Sequence, residues 1–177
     1  MITHQETKVS TFDSLAGQDV TSVRAAIRTG SYRGHTAGLA AGKLQVNLAI
    51  LPVEYAPDFE AFCRQNPQPC PLVGMTEAGN PLWPALGKID VRTDAPSYNI
   101  YRDGTLMDTV PDLKSVWRDD LVAFAIGCSF TFEAALIAAG VPMAHIDADR
   151  TVPMYRTSIA TTPAGPFGGG MVVSLRY

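Results

Sequence analysis

The segment IGCSFTFEAAL, residues 126–136, contains two residues of types that move protons, Cys128 and Glu133. Cys128 follows an apolar run and precedes hydroxyl residues that can begin a helix. Its thiol is therefore predicted at the positive N-terminal end of that helix, which favours a thiolate. Glu133 is flanked by Phe and Ala, and apolar surroundings favour the protonated carboxyl group that can give a proton to a leaving hydroxide. Together with His145, these are the predicted catalytic residues.

Each of the three also has a structural interpretation. Cys128 can be an inert, small apolar residue that fills a tight corner. Glu133 can serve as a surface charge that complements the positive end of the helix. His145 follows the exit of that helix, where it can act as a general acid or base or lie at the surface. Both interpretations are kept for all three residues.

Three amide side chains are candidates for orienting a small polar substrate. Gln45 and Asn47 alternate with apolar residues in LQVNLAILP, and this period of two predicts a strand with both amides on one face, about 7 Å apart. Asn66 stands at the predicted end of a helix, before a proline turn. An amide can donate to a carboxylate and accept from an ammonium group. The structural alternatives are a solvent-facing Gln45 and a helix-capping Asn66.

A carboxylate substrate is held best by arginine, because a guanidinium group can form two parallel hydrogen bonds with it. Arg92 and Arg156 are the candidates, and Tyr155, beside Arg156, can position the substrate. Arg92 has a structural alternative, since Asp90 and Asp94 lie close enough in the sequence to pair with it.

Neither a metal nor a cofactor is predicted. The spacing between Cys63 and Cys70 matches no standard zinc module, and the three histidines are scattered. The glycine-rich segment TAGLAAG, residues 36–42, lacks the spacings of dinucleotide-binding and P-loop motifs. This loop is predicted to approach a small carboxylate or simply to turn.

Composition narrows the class of protein. The chain has 177 residues, of which 46% are apolar and 18% charged, as in an ordinary globular protein. A net charge of −3 without any basic block argues against a nucleic acid partner. No apolar run reaches the ~18 residues of a membrane span, and the N-terminus does not resemble a signal peptide. A cytoplasmic protein with no membrane partner is therefore predicted.

The order of elements predicts an α/β fold, with a mixed sheet, flanking helices and two small subdomains packed together. Residues 1–18 are predicted to be a flexible arm, and residues 19–177 a single domain with a smaller subdomain around 53–110. The predicted elements are a helix from Thr21 or Ser22 to Gly30, a strand over 44–52, a helix over 57–65, a loop over 74–88, a strand over 89–92, a hairpin around Asp103-Gly104, helices over 112–124 and 129–140, and strands over 152–160 and 171–177.

Five long phrases, in this order, resemble one family. They are GxTAGLAxGxxQxNLxILP from Gly34, FCxxNPxPCPL from Phe62, DVRTDxPxYxxYRDG from Asp90, WRDDLVxFxIGCSFTFExAL from Trp117, and VPMYRTxI followed by AGPF and VVSLR. From about residue 24 to residue 176, the chain is similar to the D-glutamate cyclase family, whose bacterial members are labelled hydro-lyases.

The resemblance implies an α/β enzyme that eliminates water from a small amino or hydroxy acid, as in the closure of D-glutamate to 5-oxo-D-proline. The alternatives are a lyase or isomerase for another small carboxylic acid, or a non-catalytic binding or scaffold relative. Arg156 with the 36–47 segment is expected to hold the α-carboxylate, and Cys128 and Glu133 to move protons. The resemblance implies no cofactor.

Three features differ from the family pattern. Ala144 stands where an arginine usually precedes the histidine, the family's GPF-x-GP turn is GPFGGG here, and family chains usually continue beyond the VVSLR strand. A domain that ends on a strand exposes an edge that invites pairing. A homodimer is therefore predicted.

Overall fold

The computed structural model describes residues 9–148, 150 and 152–176. Its α-helices are α1 Phe12–Leu15, α2 Val20–Arg28, α3 Ala56–Gln65, α4 Glu133–Ala138 and α5 Ala144–Asp147. Its strands are β1 Val46–Pro52, β2 Leu72–Met75, β3 Leu82–Trp83, β4 Ile89–Asp90, β5 Tyr98–Arg102, β6 Thr105–Val110, β7 Leu121–Gly127, β8 Met154–Ala160 and β9 Gly170–Ser174. Residues 1–8 of the predicted arm lie outside the described residues, and the rest of that arm contains α1.

The described residues divide into two compact units, each built from two segments of the chain. The first unit comprises residues 9–43 and 79–119, and the second comprises residues 44–78 and 120–176. The mixture of helices and small sheets confirms the predicted α/β class. The predicted mixed sheet is wrong, because every strand pair in the described part is antiparallel and the strands form four separate small sheets. Neighbouring antiparallel strands need no crossover helix between them.

The second unit is built on a three-stranded sheet in the order β1-β7-β2. β7 is the central strand, and each residue from 122 to 125 is at most 2% exposed. A strand that is covered on both faces needs a continuous apolar run rather than alternation, and LVAFAIG supplies it. Phe124 of β7 packs against Ala56 and Phe59 of α3. The sheet and α3 therefore form the core of this unit.

The predicted helix over 112–124 is wrong. Its apolar residues fit a period of 3.6, but the structure has a single turn followed by β7. Asp112 accepts a hydrogen bond from the backbone N–H of Lys114 at 3.0 Å, and the N–H of Trp117 donates to the carbonyl of Leu113 at 2.9 Å. The run after residue 120 forms the central strand because both faces of that strand bury apolar side chains.

A turn at residues 164–167 packs against α3 through aromatic rings. The ring centroid of Phe167 lies 4.9 Å from that of Phe59, which in turn lies 4.9 Å from that of Phe124. Gly165 has φ = +51°, and a Cβ atom at this position would overlap the carboxylate of Asp58. Both the backbone conformation and the close approach therefore require glycine.

The first unit has a separate core between α1 and α2. Leu15 and Ile27 are 7% and 3% exposed and belong to one buried cluster. The predicted first helix is confirmed, but its cap is Asp19, whose Oδ1 accepts from the N–H groups of Thr21 and Ser22 at 2.7 and 3.0 Å. An aspartate at this position satisfies two backbone donors that would otherwise lack partners.

The predicted hairpin in the first unit is confirmed as β5 and β6. Asp103 and Gly104 have φ values of +48° and +75°. Both values lie in the left-handed region, as a type I′ turn requires, which is why an Asp-Gly pair is favoured here.

The remainder of the second unit consists of α4, α5 and the β8–β9 hairpin. The predicted helix over 129–140 is confirmed in outline, since a 3₁₀ turn at Ser129–Phe132 leads into α4, and Gly140 with φ = +76° follows its end. The tail strands are confirmed as β8 and β9. In the part of the chain that the structure describes, no helix combines the length and apolarity needed to cross a membrane.

Candidate active site

The segment that follows β7 carries two of the predicted catalytic residues. Gly127 ends the strand with its N–H bonded to the carbonyl of Pro71 at 2.8 Å. Cys128 is extended (φ −109°, ψ 139°), and the 3₁₀ turn that follows it leads directly into α4, of which Glu133 is the first residue. The strand end and the short helix therefore fix the backbone of both residues.

Glu133 lies in a buried cluster of ionisable side chains. Its Oε1 atom is 3.1 Å from Nε2 of His145 and accepts a hydrogen bond from Nε of Arg176 at 2.9 Å. The side chains of Glu133, His145 and Arg176 are only 9%, 6% and 8% exposed. A buried carboxylate is costly unless it is paired, and Arg176 supplies the pairing charge.

Arg176 is held on several sides. Its Nη1 donates to Oγ of Ser174 at 2.9 Å, and its Nη2 donates to Oγ of Ser129 at 3.1 Å. The guanidinium carbon lies 5.4 and 5.5 Å from the ring centroids of Phe130 and Phe132, within the range of cation–π contacts. The orientation of this arginine is thus set by β9 and by the 3₁₀ turn together.

Cys128 lies immediately before this turn and is half-buried with a free thiol. Its N–H donates to the carbonyl of Gln45 at 3.0 Å, and its carbonyl accepts from the N–H of Thr131 at 3.0 Å. The hydroxyl of Thr131 also bonds the backbone of Gln45, accepting from its N–H at 3.0 Å. The predicted residues Gln45 and Cys128 are therefore neighbours, joined through their backbones.

Asn47 lies next on β1, where it pairs with Ile126 of β7 and is exposed. Sequence reasoning placed Gln45 and Asn47 on one face of a strand. The structure begins β1 at Val46, so Gln45 precedes the strand. The substrate-binding role of both amides stays a prediction.

Asn66 is 6% exposed and occupies the C-cap of α3. Its Nδ2 donates to the carbonyls of Phe62 and Thr162 at 2.7 and 2.8 Å, and its Oδ1 accepts from the N–H of Thr162 at 2.8 Å. These contacts join the end of α3 to the turn after β8, as the structural interpretation expected. Its predicted contact with substrate remains untested.

The two predicted arginine clamps lie in different surroundings. Arg156 and Tyr155 are exposed on β8, and Arg156 forms no ion pair with any described residue. Arg92 belongs to the first unit, where it donates to Asp90 at 2.8 and 2.9 Å. The hydrogen bond from Arg92 holds the pKa of Asp90 below its ordinary value, and the same contact raises the pKa of Arg92. Their roles in substrate binding stay predictions.

Among the described residues, no group of three His, Cys, Asp or Glu side chains could hold a metal ion. The second unit also has an open cleft of about 410 Å³, whose polar lining residues include Glu60, Thr76 and Glu77. The predicted site residues do not line this cleft. Within the second unit, the cluster around Glu133 is therefore the stronger candidate for chemistry.

Sequence reasoning missed Arg176 and its two serine partners as site residues. A signal was present, because a glutamate predicted to lie among apolar residues needs a cation if it is to be buried as a carboxylate. Arg176 also ends the quoted phrase VVSLR. Sequence spacing could not identify Arg176 as the partner of Glu133, because the two residues lie 43 positions apart along the chain.

The part of the chain that holds this cluster matches a known family. Residues 122–177 match the family model described as D-glutamate cyclase. The matched range includes Cys128, Glu133, His145 and Arg176, and thus every member of the buried cluster.

Longer matches cover almost the whole chain. It is 58% identical over 166 residues to a Ruegeria pomeroyi protein named "Putative hydro-lyase", covering 93% of this chain and 60% of that protein. It is 56% identical over 174 residues to a protein of the same name from Dinoroseobacter shibae, covering 98% and 58%. A Bordetella pertussis protein named in the same way is 52% identical over 174 residues, covering 98% and 62%.

These matches confirm the resemblance predicted from the five phrases. The chain is similar to the D-glutamate cyclase family over residues 122–177 and to the proteins named as hydro-lyases over most of its length. It spans about 60% of the length of these relatives.

Proposed function

We propose that the protein is a hydro-lyase-type enzyme that eliminates water from a small amino or hydroxy acid. The names of its relatives and the family model support this class of reaction. D-glutamate, closed to 5-oxo-D-proline, is the first substrate to consider. The observation that carries the proposal is the buried contact between Glu133 and His145, because elimination of water needs a group that takes a proton and returns it.

The burial of this pair supports a chemical role. The side chains of His145 and Arg176 both contact Oε1 of Glu133, and each of these three ionisable side chains is less than a tenth exposed. Buried ionic clusters of this kind contribute little to stability compared with apolar packing, and they occur often at functional sites. A histidine is also suited to exchanging protons near neutral pH.

The reaction on D-glutamate needs no oxidant or co-reactant. The α-amino nitrogen attacks the γ-carboxyl carbon, a C–N bond forms, and one C–O bond breaks. The two hydrogens that leave the ammonium nitrogen both end on the departing oxygen, which leaves as water. His145 can carry a proton from the nitrogen to that oxygen, and Glu133 stabilises the imidazolium formed in between.

Cys128 is the second candidate for proton transfer in this proposal. Its thiol is half-buried, and the residue lies directly before Ser129, which binds Arg176. A thiol in this position can donate a hydrogen bond or a proton to the departing oxygen. Arg156 is the candidate for holding the substrate carboxylate within the same unit, because a guanidinium matches it bidentately.

Turnover with defined acids tests the proposal. The purified chain is incubated with D-glutamate, L-glutamate and small hydroxy acids, and the dehydrated products are followed by mass spectrometry. We expect product from at least one of these acids, and a fall of ~10²–10⁴-fold in His145→Gln. Arg64→Gln, an exposed arginine on α3, is the matched control and should keep full activity.

Two outcomes would overturn the proposal. One is an absence of product from every acid with the folded wild-type chain. The other is a His145→Gln variant that folds and turns over at the wild-type rate. A chain that binds D-glutamate without converting it would support a non-catalytic binding relative instead.

A further inference from the structure

The contact between Arg176 and Glu133 has a consequence for the proton on His145. Both Arg176 and His145 approach the same carboxylate atom, Oε1 of Glu133, at 2.9 and 3.1 Å. A guanidinium keeps its positive charge at all ordinary pH values, so its Nε–H can only donate. A carboxylate held by such a donor in a buried place is stabilised in its ionised form.

An ionised carboxylate can only accept hydrogen bonds. The 3.1 Å contact between Oε1 of Glu133 and Nε2 of His145 is therefore a bond in which Nε2 donates. In a neutral imidazole, one ring nitrogen carries the hydrogen and the other has the free lone pair. Nδ1 of His145 has no hydrogen-bond partner among the residues that the structure describes.

We infer that Arg176 is a positioning residue that acts through Glu133 to fix His145 as the Nε2–H tautomer. Nδ1 is then the atom that takes up and releases the proton in the dehydration, and this role rests on the proposed function. Glu133 does not itself exchange a proton in this scheme. It orients the ring and compensates the charge when Nδ1 is protonated.

The hydroxyls of Ser129 and Ser174 hold Arg176 in place for this role. They accept from its Nη2 and Nη1, and with both ends of the guanidinium held in this way its Nε–H donates to Glu133. Lysine at 176 would keep the charge but offers a single point donor on a flexible stem. Arg176→Lys should therefore keep a larger share of the Nε2–H tautomer of His145 than the neutral variant Arg176→Gln.

Nitrogen NMR of the full chain tests the inference without requiring turnover. With ¹⁵N-labelled histidine, the ring nitrogens of His145 are identified by their loss in His145→Gln. At neutral pH, the wild-type spectrum should show the hydrogen on Nε2 and a free lone pair on Nδ1. In Arg176→Gln, a substantial share of the other tautomer should appear, and Arg176→Lys should lie between the two.

Several results would overturn the inference. One is a wild-type His145 with its hydrogen on Nδ1. Another is a folded Arg176→Gln protein with an unchanged His145 spectrum. If Arg176→Gln does not fold, the double variant Ser129→Ala, Ser174→Ala keeps the arginine but removes its tethers. An unchanged tautomer in this double variant, together with an unchanged spectrum in Arg176→Lys, would also contradict the inference.

Kinetics separate this inference from the proposed function. If the wild type turns over its substrate, Arg176→Gln should lower kcat by about 100-fold or more, with a much smaller change in KM, because the ring loses its productive tautomer. Arg64→Gln should change neither value. A wild type that shows the expected spectrum but no turnover would contradict the proposed function without contradicting the tautomer assignment.

Discussion

At the scale of single residues, a mutation of Cys128 can distinguish a role in proton transfer from a role in packing. It is half-buried and follows the central strand, so replacing it with alanine removes few packing contacts. We predict that Cys128→Ala lowers turnover by ~10²–10⁴-fold, as expected for the loss of a proton-transferring group. The free energy of unfolding should change by less than about 1 kcal/mol.

Cys70→Ala is the matched control for this prediction. Cys70 is also half-buried with a free thiol in the second unit, and it should keep full activity. Turnover and thermal melting are measured on both variants. A Cys128→Ala protein that melts at a much lower temperature but retains its activity would show that this thiol serves packing alone.

The pair of Asp90 and Arg92 gives a pH-dependent prediction. The hydrogen bond from Arg92 lowers the pKa of Asp90 in the folded chain, so the unfolded chain binds a proton on this residue more readily. The pair therefore stabilises the fold above the ordinary aspartate pKa, near pH 4, and this contribution is lost as the pH falls towards the lowered value. Asp90→Asn should destabilise the protein at pH 7 and by much less at about pH 3.

Urea unfolding of the wild type, Asp90→Asn, Arg92→Gln and the double variant at both pH values measures this effect. If the ion pair is the cause, the two single losses at pH 7 should not add in the double variant. Equal destabilisation by Asp90→Asn at the two pH values would contradict the assignment.

At the scale of elements, Asn66 connects α3 to the turn after β8. Its buried amide makes three hydrogen bonds to backbone groups, and removing it takes this partner from the N–H and the carbonyl of Thr162, while the carbonyl of Phe62 keeps its bond from the backbone N–H of residue 66. We predict that Asn66→Ala costs about 1–3 kcal/mol in the free energy of unfolding. Asn47→Ala, at an exposed position on β1, should cost less than about 0.5 kcal/mol.

Denaturant unfolding of the two alanine variants compares these costs directly. A similar small loss for both would mean that Asn66 does not hold the turn in place. Such a result would also favour the interpretation in which its amide serves a substrate rather than the fold.

The elements that sequence predicts well here are those specified by local chemistry. The Asp103-Gly104 hairpin follows from the demand of a type I′ turn for positive φ, and α3 follows from a proline near its start. The helix α2 was also predicted, although its cap is Asp19 and not Thr21 or Ser22. The helix predicted over 112–124 was wrong because a doubly buried strand is a continuous apolar run, which has no period of its own. The run forms a strand and not a helix because β7 packs against α3 and pairs with β1 and β2 on its two edges.

The candidate site was also predictable only in part, because residue type indicates which side chains can do chemistry but not which of them meet in the fold. Cys128, Glu133 and His145 could be chosen by residue type, and the structure joins Glu133 to His145 directly. Arg176 was missed as the partner of Glu133 because the two residues are 43 positions apart in the sequence and meet only in the folded chain. Arg156, which was predicted to hold the substrate carboxylate, lies exposed on β8, and that role stays a prediction.

At the scale of the whole molecule, the homodimer stays a prediction, and the exposed apolar side chains of the β8–β9 hairpin are where we expect it to form. Met154 and Val172 are 69% and 53% exposed and lie on the same face of their paired strands. Arg156 lies on the same face, directly opposite Val172, so this surface combines apolar side chains with a positive charge. We predict that the chain self-associates and that Val172→Lys weakens the association by at least about tenfold in Kd.

Analytical ultracentrifugation over a range of concentrations measures this association. Glu54→Lys, at an exposed position on another element of the same unit, is the control and should associate like the wild type. A wild-type chain that stays monomeric throughout would contradict the prediction.

In the proposed mechanism, the substrate reaches Nδ1 of His145 while Nε2 is held by Glu133, which Arg176 holds in turn. A crystal structure of the chain with 5-oxo-D-proline or D-glutamate bound tests it most directly. We predict that the ligand places its ring nitrogen or γ-carboxyl oxygen within hydrogen-bonding distance of Nδ1 of His145, with Sγ of Cys128 beside it. A ligand bound away from His145, or none at saturating concentration, would contradict the account.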